Sequence, residues 1–351
     1  MYQKLLKRTT IYCFVFFIIA MAGMFYYDAN KIIVIADTSA VNTRNDGVSD
    51  NGLTTQYQLL MKSNDSGKSQ FVIPLENSIM AEDVQIQNHY VEKELWIGLQ
   101  GATTEFYSRE YVIGNLENVS YGGYDLVEDI LWIKIAMKDT FEFESTMNNG
   151  KLTIKMEKPR EVYDKIVVID AGHGGSDKGY IEGRMSEKDV VLDVLLLLQE
   201  KMQDSDIKVY YTRTDDTYVD EEKRVELANS VKADMFISIH NSFSDNIEEN
   251  GVTCVYNGKY FIEKFDSIAL ADKLERSLAK ATGATALGLL EAGEDEHLLN
   301  EAKVPVAQIN IGYLSNEAER TFLNEEEYKM MIADGIYAAI TGIYEEILNN
   351  D

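Results

Sequence analysis

From residue 165 onward, apolar segments of strand length alternate with amphipathic segments of helix length. The strand-like segments are KIVVIDAG, IKVYYTR, ADMFISIH and VAQINIG, and the helix-like segments are EKDVVLDVLLLLQEKM, EEKRVELANSV, residues 266–282 and residues 325–348. Strands that alternate with helices indicate βαβ units and a parallel sheet. We therefore expect an α/β fold over residues 165–348, in which a mostly parallel twisted sheet carries helices on both faces.

The chain before this region has a different pattern. Residues 70–160 contain short segments of alternating polar and apolar residues, such as ELWIGLQ and KLTIKMEKP, with turn-forming residues between them. This pattern predicts a β-rich module. Residues 30–69 are rich in Asn, Asp, Ser, Thr and Gly and have few periodic apolar positions, so we expect a stalk or a loose segment there.

The first 29 residues have the pattern of a membrane anchor. MYQKLLKR carries three basic residues, and residues 11–27 that follow contain no charge. A spanning helix needs roughly 17 to 25 apolar residues, and its basic flank stays in the cytoplasm. The sequence therefore predicts a single-pass membrane protein with its N-terminus inside and its domains outside. Signal cleavage near Ala22 would instead give a secreted protein.

Charge and cysteine content narrow the possible partners. The chain has 33 Lys and Arg against 59 Asp and Glu, a formal net charge of −26. Nucleic acid is disfavoured as a partner, because binding to phosphates requires neutralisation by Lys and Arg. Cys13 lies in the predicted anchor and Cys254 is alone, so we expect no disulfide framework. The fold must then be held by its core or by a metal.

Two histidines follow predicted strands at equivalent positions. Ligands of an open parallel sheet bind at the carboxyl ends of its strands. His173 comes after KIVVID in a segment with four glycines, and His240 ends the segment MFISIH. Glycines permit positive φ angles and close backbone approach, which suits a loop that holds a metal or a substrate. A glycine-rich turn with a solvated histidine is the alternative.

The first predicted helix adds a carboxylate on its apolar face. Glu187 lies one turn before buried valine positions, and a carboxylate that faces a core needs a cation or hydrogen-bond donors. Arg184 or Lys188 could supply the charge. A zinc site formed by His173, Glu187 and His240 would explain all three residues together. Two nitrogens and one oxygen suit a catalytic zinc with an open fourth position.

Five segments of the chain carry a family resemblance. IVVIDAGHGGSDKG, SEKDVVLDV, VYYTRTDD, KRVELANSVKADMFISIH and VPVAQINIGYLSN resemble, in order and spacing, the catalytic domain of zinc-dependent N-acetylmuramoyl-L-alanine amidases. These bacterial cell-wall hydrolases are of the amidase-3 type. The resemblance implies that His173, Glu187 and His240 bind Zn²⁺. It also implies hydrolysis of the amide that joins the muramoyl lactyl ether to L-alanine in peptidoglycan. More weakly, residues 70–160 are similar to the AMIN-type modules that precede such amidases.

The last of these segments departs from the family pattern. The family strand resembles PAVLVELGFLSN, in which the glutamate is the catalytic acid/base, whereas this chain has PVAQINIGYLSN with Asn310 at that position. An amide cannot take up a proton, and general-base catalysis contributes about 10²- to 10⁴-fold in rate. The resemblance therefore implies a weakly active amidase. The alternative is an inactive, membrane-anchored pseudoamidase that binds wall peptides or a regulatory partner.

Other polar residues near the predicted strand ends are candidates for the cleft. Gln308 shares a strand face with Asn310, because side chains two residues apart on a strand point the same way. A glutamate in the loop before this strand could replace the missing base. The possible cleft residues are Gln308, His297, Glu291 and Asn241, and the possible replacement bases are Glu291, Glu294 and Glu296.

Overall fold

The computed structural model describes residues 35–38, 56–64, 68–259 and 265–349. The predicted anchor at residues 11–27 lies outside these residues. Among the helices of the described residues, none combines the length and the apolar character that a membrane crossing requires.

The N-terminal module is built from two β-sheets around one core. Its strands are β1 (Ile35–Thr38), β2 (Tyr57–Gln58), β3 (Met61–Ser63), β4 (Gln70–Pro74), β5 (Val84–His89), β6 (Glu94–Gln100), β7 (Val112–Gly114), β8 (Val119–Val127), β9 (Ile130–Met137), β10 (Glu142–Asn148) and β11 (Lys151–Glu157), with a 3-10 helix (Ala81–Asp83) and helix α1 (Thr104–Tyr107). One sheet has the order β1-β5-β6-β9-β8-β2 and the other β10-β11-β4-β7-β3. Alternate residues of β9 are buried, as the period of a half-buried strand predicts. Their apolar side chains and those of β4 and β11 form a common core.

The segment predicted to be loose contributes to these sheets. Strand β1 pairs with β5, β2 with β8 and β3 with β7. The expectation of a stalk at residues 30–69 is therefore wrong for the described part of that segment. Its polar composition hid the strands, because β2 and β3 are only two and three residues long.

The second half of the chain forms the expected α/β domain. After α2 (Pro159–Val162), its elements are β12 (Ile166–Ala171), β13 (Ile181–Glu182), β14 (Met185–Ser186), α3 (Glu187–Met202), β15 (Lys208–Tyr211), α4 (Glu221–Val231), β16 (Met235–Ser242), β17 (Val252–Tyr256), α5 (Ser267–Thr282), β18 (Ala286–Glu291), α6 (His297–Glu301), β19 (Val306–Tyr313), α7 (Glu317–Leu323) and α8 (Glu326–Asn349). The main sheet has the order β15-β12-β16-β19-β17-β18. Its first four strands are parallel, but β17 pairs with β19 in the antiparallel direction and β18 follows β17. The sheet is therefore mixed.

Helices cover both faces of this sheet, as predicted. Helices α3, α5 and α8 pack on one face, together with Ala307, Ile309 and Ile311 of β19. Helices α4 and α6 pack on the other face, where Val306 is buried. Alternate residues of β19 thus point to opposite faces, which places Gln308 and Asn310 on the face of Val306.

The module and the α/β domain share part of a core. Tyr90 and Val91 of the module belong to the same buried cluster as residues of β12, α4 and β16. The Tyr90 hydroxyl donates to Glu142 Oε2 at 3.1 Å and accepts from Lys208 Nζ at 3.2 Å. The Tyr210 hydroxyl also donates to Glu142. Strand β15, at the edge of the main sheet, is therefore fastened to the module by both apolar and charged contacts.

Candidate metal centre

The loop after β12 holds His173 in an unusual backbone conformation. His173 has φ 61°, in the left-handed region, and Gly174 beside it has φ 129°. A non-glycine residue in this region is uncommon and needs support from its surroundings. Arg213 gives that support from a fully buried position, because it donates to the carbonyls of Ala171 and Gly172 at 2.8 Å each. Three of the four glycines predicted to permit such a loop, Gly174, Gly175 and Gly179, have positive φ angles.

Helix α3 begins at the predicted residue and buries one apolar stripe. The stripe consists of Val190, Val191, Val194, Leu195 and Leu198. The Ser186 side chain donates to Asp189 and does not cap the helix backbone. Lys188 pairs with Asp216 at 2.5 Å, and Arg184 is exposed. The charge that compensates Glu187 therefore comes from elsewhere.

Glu187 lies between the two predicted histidine ligands. Its Oε2 is 3.1 Å from His173 Nε2, and its Oε1 is 2.9 Å from His240 Nδ1. Each oxygen also accepts a backbone N–H, from Tyr180 at 3.0 Å and from Asn241 at 2.9 Å. The carboxylate is buried and hydrogen-bonded at both oxygens, so its position is fixed.

These contacts set the protonation of the centre. Burial raises the pKa of Glu187, but hydrogen bonds from His173 and His240 and their positive charge outweigh it and hold the pKa well below its usual range. Burial lowers the pKa of His173, but Glu187 and Asp177 outweigh it and the net shift is upward. An ionised carboxylate between two imidazoles is a ready set of metal ligands.

The geometry fits one shared metal ion. One ligand atom each of His173, Glu187 and His240 can be chosen so that all three lie within 4.8 Å of one another. The Nδ1 atom of His173 is 2.8 Å from Asp177 Oδ2, which leaves Nε2 free to face the centre. A Cβ atom at Gly179 would lie 2.6 Å from Glu187 Oε2, so the backbone wraps the centre closely. Two nitrogens and a carboxylate oxygen at this spacing are the donor set of zinc.

The position of Asn310 is next to this cluster. Strands β16 and β19 pair His240 with Asn310 in register, so both side chains point to the same face. Asn310 is 8% exposed, and its Oδ1 accepts a hydrogen bond from Gln308 Nε2 at 3.1 Å. These two amide side chains of β19 therefore bond to each other beside the cluster.

Two predicted cleft residues lie at the wrong edge of the sheet. Strand β17 runs antiparallel to β19, and β18 runs parallel to β17, with Glu291 level with Tyr256 and thus with Ala307. The carboxyl end of β18 is therefore opposite the edge where Asn310 meets the cluster. His297 begins α6, which follows β18 and leads into the start of β19, so it lies at that same opposite edge. The predictions that Glu291 and His297 line the cleft are wrong.

The glutamates proposed as replacement bases meet the same difficulty. Glu294 and Glu296 lie between the end of β18 and the start of α6, at the edge away from the cluster. Among the described residues, the group that could hold a metal contains none of the three glutamates.

Asn241 has a supporting position at the centre. Its backbone N–H holds Glu187, and its Nδ2 donates to the Gly312 carbonyl at 3.2 Å. The side chain is buried, so Asn241 fixes the ligand and does not line an open cleft.

Sequence reasoning missed other residues at the centre. Asp177 orients His173 from four residues along the chain; a carboxylate so close to a histidine ligand was a usable signal, because ligand histidines normally donate to one. The rings of Tyr180 and Phe243 stack at 5.0 Å. That stack joins two loops that are far apart in the sequence, so no local sequence pattern could have predicted it.

The fold and the cluster define a class of protein: an α/β domain with a potential His, Glu, His metal centre at the carboxyl ends of its parallel strands. The family model described as N-acetylmuramoyl-L-alanine amidase, of the amidase-3 type, matches residues 167–342. The chain therefore belongs to the N-acetylmuramoyl-L-alanine amidase family, as the sequence resemblance predicted.

The chain is also similar to individual amidases. The germination-specific N-acetylmuramoyl-L-alanine amidase of Bacillus subtilis is 30% identical over 196 residues, which are 52% of this chain and 81% of the relative. The probable cell wall amidase LytH of Staphylococcus aureus is 31% identical over 210 residues, 56% of this chain and 68% of the relative. The solved catalytic domain of CwlV, an amidase from Bacillus (Paenibacillus) polymyxa var. colistinus, is 33% identical with a TM-score of 0.48, over 52% of this chain and 98% of that one.

Proposed function

We propose that this protein is a zinc-dependent amidase that hydrolyses the bond between the muramoyl lactyl group and L-alanine in peptidoglycan, with low turnover because of Asn310. The observation that carries the proposal is the convergence of His173, Glu187 and His240 on one point at the carboxyl edge of the sheet. Membership of the amidase family supports the same reaction.

In this mechanism, His173, Glu187 and His240 would hold the metal. When bound, zinc polarises the amide carbonyl and lowers the pKa of a water molecule. Asp177 accepts from His173 Nδ1 and so keeps Nε2 turned towards the centre. The backbone N–H of Asn241 keeps Glu187 in place. Asp177 and Asn241 thus hold His173 and Glu187 in place before the reaction, so little reorganisation is needed during it.

Asn310 limits the proton transfers that amide hydrolysis needs. A water nucleophile must lose a proton and the leaving amine must gain one, and a carboxylate can do both where an amide can do neither. Asn310 can donate through Nδ2, while Gln308 occupies its Oδ1. The pair can orient a polar group of the substrate but cannot carry its proton. We expect a rate lower by about 10²- to 10⁴-fold than that of an enzyme with the glutamate.

The test is hydrolysis of purified muropeptides by the wild type and by Asn310→Glu, with the zinc content of each measured. We expect slow release of the stem peptide by the wild type and a faster release by the variant. Asn310→Gln is the matched control, since it lengthens the side chain without adding a base. A wild type as fast as Asn310→Glu would contradict the role given to Asn310. Cleavage by the variant alone would show that the natural chain is an inactive binding protein.

We also propose where the enzyme works. Residues 11–27 would anchor it in the cell membrane with the N-terminus inside, or direct secretion if cleavage occurs near Ala22. Both place the catalytic domain on the wall side, which agrees with peptidoglycan as substrate. Residues 70–160 would act as an AMIN-like module, and the apolar core between its two sheets supports a folded module in this part of the chain.

A further inference from the structure

An exposed pair of aromatic rings adjoins the metal centre. Tyr180 is 48% exposed and Phe243 39% exposed, and their rings stack at a centroid distance of 5.0 Å with planes 13° apart. A ligand that covered these exposed rings would be stabilised by the burial of their apolar surface.

The central carboxylate fixes the pair relative to the metal ligands. The backbone N–H of Tyr180 donates to Glu187 Oε2, and that of Asn241, two residues before Phe243, donates to Oε1. Each aromatic loop is thus attached to one oxygen of the same ligand. The two loops that carry the rings are therefore held by the same carboxylate, Glu187.

Phe243 also forms one wall of a groove of about 710 Å³. Tyr180 covers one face of the Phe243 ring and does not line the groove itself. The remaining walls carry the exposed side chain of Ile247 and several acidic or neutral polar groups. These polar residues include Glu182, Asp245, Glu248, Asn316 and Glu317.

We propose that Phe243, backed by Tyr180, positions the substrate by packing against the pyranose ring of its muramoyl residue. This inference rests on the proposed amidase function. On one side of the scissile amide is a sugar whose C–H groups form a flat apolar face, and on the other is the methyl group of alanine. A phenyl face buries more area against the sugar ring, and burial of apolar area is what stabilises such a contact.

The charge of the groove favours the same occupant. Its walls include four carboxylates and one guanidinium, that of Arg320, which already donates to the Leu314 carbonyl at 2.6 Å. Stem peptides carry free carboxylates, and like charges brought together cost binding free energy. The muramoyl sugar is uncharged once its lactyl group is part of the amide, so it can occupy an acidic groove without this cost.

The test compares two probes that share the scissile amide. One is a disaccharide pentapeptide, and the other is a D-lactoyl pentapeptide without the sugar ring. Binding to the zinc-loaded full chain is measured by calorimetry, which low turnover permits. Loss of about 1.4 kcal/mol of apolar burial corresponds to tenfold weaker binding. We therefore expect Phe243→Ala to bind the disaccharide probe about tenfold more weakly and the lactoyl probe unchanged, while Phe243→Tyr retains the wild-type affinity for both.

A matched control is available elsewhere on the domain. Phe322 is 48% exposed and stacks on Tyr328 at 5.4 Å, in a different cavity. Phe322→Ala should leave both affinities unchanged. An equal loss for both probes with Phe243→Ala, or no loss for either, would overturn the sugar subsite alone. A wild type that binds neither probe would overturn the proposed function and the subsite together.

Discussion

Two glycines determine how closely the chain wraps His173, Glu187 and His240. A Cβ atom at Gly172 would lie 2.3 Å from the ring of His240, and one at Gly179 would lie 2.6 Å from both Glu187 and His173. Real Cβ atoms do not approach other atoms so closely, so a side chain at either position displaces a ligand. The geometry of the centre therefore requires glycine, which has no Cβ atom, at both positions.

The pair Gly179 and Gly183 gives a controlled test of this claim. Both have left-handed φ angles, 60° and 63°, but a Cβ at Gly183 meets open space. Alanine should cost about 1–2 kcal/mol of backbone strain at either position. Only Gly179→Ala should also weaken zinc binding, by about 10- to 100-fold, the range found when support of a ligand is lost. Zinc affinities from competition with a chelator measure the difference, and equal affinities for the two variants would contradict it.

At the scale of elements, the direction of strands β17 and β18 is the main feature that the sequence did not predict. Helices α3 and α4 have the predicted bounds, because amphipathic periods and polar first turns are local signals. Strands β17 and β18 are short, and Gly288 within β18 has φ 97°; their reversed direction depends on tertiary pairing. The two histidines follow from the ends of β12 and β16, and Glu187 follows from the apolar face of α3. Glu291 and His297 were misplaced because they follow a reversed strand.

The end of β5 carries a histidine that makes the stability of the module depend on pH. His89 is 3% exposed and packs on Trp96 at 4.2 Å. Burial, helped by the charge of Lys134, lowers its pKa to about 4. The unfolded chain, with a pKa near 6.5, therefore binds the proton first as the pH falls. The contribution of neutral His89 is complete above about pH 6.5 and lost as the pH falls towards 4.

We expect the titration of His89 to lower the free energy of unfolding by about 3 kcal/mol as the pH falls from about 6.5 to 4. Urea unfolding followed by tryptophan fluorescence measures it, since Trp96 and Trp132 are the only two tryptophans and both lie in the module. His89→Gln, which cannot titrate, should show a flatter dependence than the wild type. His297→Gln, a control in the other domain, should show the same pH dependence as the wild type. Identical slopes for the wild type and His89→Gln would contradict the assignment.

The whole molecule is held together where the module meets the edge of the main sheet. Tyr90 inserts into a core cluster of the α/β domain, and Glu142 accepts from Tyr90 and Tyr210. Contacts of this kind couple the stability of the two parts, because one part cannot unfold without exposing the surface of the other. Zinc bound in the α/β domain should therefore stabilise the distant module.

This coupling predicts a thermal shift seen by the module's own tryptophans. A ligand that binds only the folded state raises the unfolding midpoint, so zinc should raise the tryptophan-detected midpoint of the wild type. In Tyr90→Ala the midpoint should respond less to zinc while zinc content is unchanged. Tyr57→Ala, an exposed tyrosine of the module, should behave as the wild type. If zinc leaves the tryptophan-detected unfolding midpoint of the wild type unchanged, the two parts unfold independently.

The most direct test of the central claim is the zinc content of the purified chain, measured per molecule after dialysis against a weak chelator. We expect one zinc in the wild type and in His297→Ala, whose histidine lies at the opposite edge of the sheet. We expect none in His173→Ala, Glu187→Gln or His240→Ala, because each removes one of the three atoms that converge. A wild type without zinc, or ligand variants that retain it, would contradict the account.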